Sequence, residues 1–191
     1  LLKPRSISKL LPAHALQRGA LTVHQPLPTQ RVEQIDPCLL LHHFGPYTVE
    51  PGTDPLDLGP HPHRGFEPVT FLYSGGIRHH DSRSNTGYLK GGDVQWMTAG
   101  KGVLHSEKPE QVSGLLHGFQ LWLNLPASEK MKPAAYRDIR VADIPAIDLH
   151  QGSRIAVIAG EVTTNPGDQI ATTGHTKGRT EKQVKEPQNL S

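Results

Sequence analysis

The chain has little of what most often organises a protein of 191 residues. It holds one cysteine, Cys38, which excludes an intrachain disulfide and fits a reducing compartment. No run approaches the ~20 consecutive apolar residues that a membrane helix needs. The opening Leu1-Leu2-Lys3-Pro4-Arg5 has neither the apolar run nor the cleavage site of a secretory signal. The expectation is a cytoplasmic protein with no membrane association. The net charge is only +2, and no Lys/Arg run interleaves with aromatics, so direct nucleic-acid binding is not expected. Hydrophobic residues are also scarce, at 35%. With 19 glycines and 17 prolines, the composition favours many turns over long helices.

What is present reads as short strands broken by Gly and Pro. Leu21-Thr22-Val23, Leu39-Leu40-Leu41, Val69 to Tyr73, Asp93 to Met97 and Phe119 to Leu123 are the clearest, the last with period-2 alternation. Turn signals separate them at Ser74-Gly75-Gly76, Asn85-Thr86-Gly87, Lys90-Gly91-Gly92-Asp93 and Ala99-Gly100-Lys101-Gly102. Closely spaced strands with Gly-rich turns predict an all-β sandwich or barrel. Ala127 to Met131 is expected to give one short helical turn. The pattern divides the chain into a main domain over 1–131 and the start of a second unit over 132–161. In that second unit, Tyr136 to Val141 and Arg154 to Ala159 look like strands. Residues 162–191 hold too few apolar side chains to offset the entropy of ordering them, and are expected to form a disordered tail.

Two His-containing stretches stand out: His61-Pro62-His63 and His105-Ser106-Glu107. In a strand, side chains two apart share a face, so two such strands facing each other can aim three imidazoles and one carboxylate at one point. Pro62 cannot donate to a sheet ladder, which places the first stretch at a strand start or an edge. Neutral imidazoles with one carboxylate suit Fe(II), Mn(II), Ni(II), Co(II), Cu(II) or Zn(II). Four protein ligands on a six-coordinate ion leave two positions open, unlike a closed structural zinc site, which usually includes cysteine. The expected site is one reactive divalent transition metal per chain. The isolated His14, His24, His117, His150 and His175 read as surface or structural histidines. In the doublets His42-His43 and His79-His80, at most one member of each can face a barrel interior, because neighbours on a strand point opposite ways.

The runs His61-Pro62-His63-Arg64-Gly65-Phe66-Glu67 and Gly92 to Glu107, with Leu39 to Gly45 and Gly118 to Leu125, closely resemble the pirin family of the cupin superfamily. The resemblance covers about residues 20–161. It implies a cupin-type double-stranded β-helix, that is, a jelly-roll barrel, followed by a second barrel that is incomplete here because the pattern stops near Glu161. Pirins hold one iron through three His and one Glu. Carried over, these ligands are His61, His63, His105 and Glu107, the set reached from spacing, with Fe(II) as the expected ion. Glu67 matches the ligand position of the general cupin signature, but the pirin pattern favours Glu107. Bacterial pirins imply a quercetin 2,3-dioxygenase, with a flavonol and O2 as substrates and Glu107 as base as well as ligand. Phe66, Trp96, Met97 and Leu104 are then the expected apolar wall. Eukaryotic pirins imply the alternative, a non-enzymatic iron-dependent transcription cofactor that binds a protein partner.

Overall fold

In the computed structural model, residues 6–7, 9–50, 58–110, 114–148, 152–162, 171–173 and 182–183 are described. They contain strands β1 (His14–Arg18), β2 (Leu21–Leu27), β3 (Cys38–Val49), β4 (Leu58–His63), β5 (Phe66–Ser74), β6 (Gly76–Asp81), β7 (Thr86–Lys90) and β8 (Val94–Thr98). β9 (Val103–Pro109), β10 (Gly114–Asn124) and β11 (Ala135–Ile139) follow. Five short strands come last: β12 (Ala146–Asp148), β13 (Arg154–Ala156), β14 (Gly160–Val162), β15 (Ala171–Thr173) and β16 (Lys182–Gln183). Helical structure among the described residues is confined to 3-10 turns, at Ala127–Glu129, at Val141–Asp143 and at Gly152.

The strands form a larger sheet, in the order β1-β2-β3-β10-β5-β8-β11-β16, and a smaller one, β4-β9-β6-β7. All the pairings within these two sheets are antiparallel. The two sheets close as the jelly-roll barrel of the cupin type that the sequence resemblance implied. Leu72, Leu116, Ile77 and Leu89 alternate inward from both sheets and pack with Leu21, Val23, Phe44 and Val49 as one core cluster. Burying each of these larger side chains stabilises the fold by about 1.5–3 kcal/mol. A second cluster joins Met97 of β8 and Val103 of β9 to Ala99 and Ala134.

A third cluster lies on the opposite face of the larger sheet. There Val69, Val94 and Ile139 pack with Phe71, Trp96, Leu123, Ile144 and Ile158. Residues beyond 132 thus extend the large sheet through β11 and cover part of its outer face. The strand expected over Tyr136 to Val141 ends at Ile139, because the Val141 N–H is taken by Asp93 Oδ1 at 2.9 Å and the chain turns into a 3-10 coil. Likewise the run expected from Arg154 to Ala159 ends at Ala156, where the Val157 N–H turns to the Pro145 carbonyl at 2.9 Å. The expectation for 162–191 falls almost wholly outside the described residues.

Two local devices bring the site together. Gly100 has φ +51° in the turn from β8 to β9, and a Cβ there would stand 2.0 Å from the Lys132 carbonyl oxygen, so the turn needs glycine. Its own carbonyl accepts from the Gly65 N–H at 2.8 Å, tying the start of β5 to this turn. The second device is Asp93, which is 3% exposed. It receives the Val141 N–H, Arg140 Nη1 at 2.7 Å and the Lys90 N–H at 3.1 Å. Burial pushes the Asp93 carboxyl up, but these bonds outweigh it and hold the group below its ordinary value. Asp93→Ala should therefore lower unfolding free energy in urea by about 2 kcal/mol, since it strands two main-chain donors and a half-exposed guanidinium. An unchanged midpoint would show that this latch contributes nothing.

Candidate metal centre

The site forms where the edge strand β4 meets β9. Their antiparallel register sets His61 directly opposite His105, after an irregularity between Leu58 and His61 that accommodates Gly59 and Pro60. Because of the two-residue period, His63 shares the inward face with His61, and Glu107 shares it with His105. His63, His105 and Glu107 are all buried, while His61 is half-buried. The three ring centroids stand 4.5–4.8 Å apart. One nitrogen from each of His61, His63 and His105 falls within a group no wider than 4.8 Å.

The protonation of these rings suits a cation. His61 Nδ1 lies 2.9 Å from the Gly59 carbonyl, which can only accept, so the proton sits on Nδ1 and Nε2 keeps its lone pair. Burial, reinforced by the neighbouring imidazoles, lowers His63 to about 4 and His105 to about 3. Both are neutral at physiological pH. His63 Nε2 and both ring nitrogens of His105 are buried without a hydrogen-bond partner among the described residues. Buried polar atoms are normally bonded, so these free nitrogens fit a resident ion and suit borderline divalent transition metals.

Glu107 stands apart from the tight imidazole group. Its carboxylate accepts from Gln120 Nε2 at 3.0 and 3.3 Å and from Thr70 Oγ1 at 3.5 Å. Trp122 Nε1 donates to Gln120 Oε1 at 3.1 Å, which turns the amide NH2 toward Glu107. Glu107 nevertheless lines the same cavity as His61 and His63, a space of about 340 Å³. Of the four residues singled out by spacing, His61, His63 and Glu107 line one chamber, and His105 joins His61 and His63 in the close cluster. Glu67 goes elsewhere: on β5 it alternates to the outer face, where it accepts from Trp96 Nε1 at 2.8 Å and Thr98 Oγ1 at 2.6 Å.

The expected apolar wall is corrected. Phe66, Trp96, Met97 and Leu104 do not line the cavity; its apolar lining includes Val23, Leu40, Phe44, Ile77 and Trp122. Trp96 is on the outer face with Glu67, Met97 is in the second core cluster, and Leu104 is exposed. Phe66 touches the site indirectly, with its ring against His63 and Trp122. The histidine doublets split as strand geometry requires. His42 points into the cavity and donates through Nε2 to Gln25 Oε1 at 2.8 Å, with burial lowering it to about 4. His43 points outward. His79 is buried and His80 is exposed.

Sequence reasoning missed the polar supports. Gln120 and Thr70 lie in apolar strands, and the inward alternation of β10 with β5 is the only signal that could have placed them. It also missed a buried layer beside His105. Asp81 is paired across the ladder with His105, and His79 with Glu107. The His79 ring stacks on Tyr136, and its Nε2 is 3.6 Å from Asp138.

Since the folded values of His63 and His105 lie below the ordinary 6.5, the unfolded chain binds protons first as pH falls. Metal-free protein should hold its full stability above about pH 6.5. Below that it should lose about 1.4 kcal/mol per group for each pH unit, down toward the folded values. Urea unfolding of chelator-treated protein at pH 7.5, 6 and 5 tests this, and a midpoint that stays level would refute it.

Comparison with known proteins places this geometry in context. The family model described as Pirin matches residues 20–123. A Pseudomonas aeruginosa protein provisionally named a quercetin 2,3-dioxygenase is 48% identical over 138 residues, covering 72% of this chain and 48% of its own length. A pirin-like protein of Caulobacter vibrioides is 38% identical over 168 residues, covering 87% of this chain and 60% of its own. The crystal structure of quercetin 2,3-dioxygenase from Acinetobacter baumannii superposes with a TM-score of 0.72 at 40% identity, covering 85% of this chain and 58% of that one. The chain spans about half the length of the curated relatives it matches.

Proposed function

The chain belongs to the pirin family, and from that premise we propose that it is a metal-dependent dioxygenase that cleaves flavonols of the quercetin type with O2. The observation that carries the reading is the cluster of three imidazoles, with unpartnered nitrogens on His63 and His105, at the wall of an apolar cavity that also holds Glu107. The cavity volume lies in the range of small-molecule sites. The names of the Pseudomonas and Acinetobacter relatives support the same substrate class. We assign the chemistry to residues 1–131, read 132–161 as the start of a second cupin unit and 162–191 as a tail, and place the activity in a reducing cytoplasm.

His61, His63, His105 and Glu107 would hold the ion, with Fe(II) the expected occupant. When bound, it supplies a net positive centre that favours an anionic oxygen donor and the redox capacity that O2 chemistry needs. The residues of the chain do the rest. The Gly59 carbonyl keeps the His61 lone pair on Nε2. Gln120, oriented by Trp122, fixes the Glu107 carboxylate, whose oxygens are acceptors able to take the proton of a flavonol hydroxyl. Leu40, Phe44, Ile77 and Trp122 present apolar surface to the aromatic rings and exclude water from the reacting end.

Iron-loaded protein should consume O2 and bleach quercetin absorbance, and His63→Ala should lose both the metal and the turnover. Gln120→Leu should keep the metal but lower kcat about tenfold, as expected when a carboxylate loses its orienting partner. Wild type that carries one iron yet leaves quercetin and O2 untouched would sink the catalytic reading.

A further inference from the structure

A second group of histidines lies on the outer face of the large sheet, away from the cavity. His24 of β2, His43 of β3 and Phe119 of β10 occupy one cross-strand row, with His24 paired to His43 and His43 to Phe119. Between Leu116 and Gly118 the β10–β3 register shifts by one residue, and the extra residue is on β3, where Gly45 and Pro46 stand opposite His117. His117 lies two residues before Phe119 on the same outer face of β10, and its Nε2 stands 2.9 Å from that of His43.

Both rings are held in place. His43 stacks on Phe119 at 4.5 Å with planes 18° apart, and His117 stacks on Tyr73 at 5.0 Å and 28°. The His24 ring is the next neighbour, 6.1 Å from His43 between centroids. One shared proton accounts for the gap between the two nitrogens as it stands. As they stand the rings meet almost head-on, with centroids 5.1 Å apart; a rotation of each ring that keeps the gap turns both lone pairs to one ion, since nitrogens ~2.05 Å from an ion and at right angles are ~2.9 Å apart. Right-angle nitrogen pairs suit Ni(II) and Cu(II), which prefer square or octahedral surroundings. Both rings are only part-buried, so the pair is open to solvent.

The geometry points to a second metal site on this chain, with His43 and His117 chelating a divalent ion of the Ni(II) or Cu(II) type and His24 as the adjacent third donor. It is independent of the barrel centre, shares no residue with it, and does not rest on the dioxygenase reading.

Calorimetric titration of the untagged, metal-free chain with Ni(II) tests it. Wild type should take two equivalents; His43→Gln and His117→Gln should each take one, with an unchanged melting temperature in the absence of metal. His63→Ala should also take one, and that remaining equivalent should disappear when His117→Gln is added. His24→Gln should keep both equivalents and weaken one of them about tenfold. One equivalent in wild type, or two retained in His117→Gln, would overturn the proposal; neither result bears on quercetin turnover.

Discussion

The antiparallel pairing of β4 with β9 sets His61 against His105, and every other property of the barrel centre depends on that register. A slip of β4 by one residue would turn His61 and His63 to the solvent face, away from His105 and Glu107. With the register in place, three imidazoles crowd into a buried space, and crowding and burial together keep His63 and His105 neutral. Neutral rings without protein partners are what a cation requires. The register therefore creates the geometry and the protonation state at once.

The large sheet answers this arrangement with an inverted pattern. In a half-buried strand the apolar residues normally face the core, yet in β10 the polar Gln120 points inward to Glu107 while Leu123 packs on the outer side. β5 does the same, with Thr70 inward and Val69 and Phe71 outward. Two demands meet here. The barrel interior must support a carboxylate, and the exterior is partly covered by Ile144 and Ile158 from the segment beyond 132. Glu67 follows from the same alternation: it lies one residue out of phase with the inward set and is satisfied by Trp96 and Thr98 on the far face.

Histidine shows how local geometry separates roles within one residue type. His42 and His43 are neighbours in sequence, yet one enters the cavity and the other joins an aromatic row outside. His117 reads as an isolated surface residue until the pairing of β10 with β3 brings it to His43. The His79, Asp81, Tyr136 and Asp138 layer is equally invisible in the chain order. Its members come from β6 and β11, which meet only because the two sheets close on each other.

The sequence by itself determined the all-β class, most of the strands and the close approach of His61, His63 and His105. Those features rest on local rules: turn-forming glycines, a two-residue side-chain period, and the bar that Pro62 places on a central strand, which matches the edge position of β4. Only the tertiary structure decided which face of each large-sheet strand looks inward, and so which residues line the cavity, what orients Glu107, and where Glu67 and His117 go. Alternation along a strand names two faces but not which is the inside. That choice is made by the partner sheet and by the segment that covers the other side, both distant in sequence.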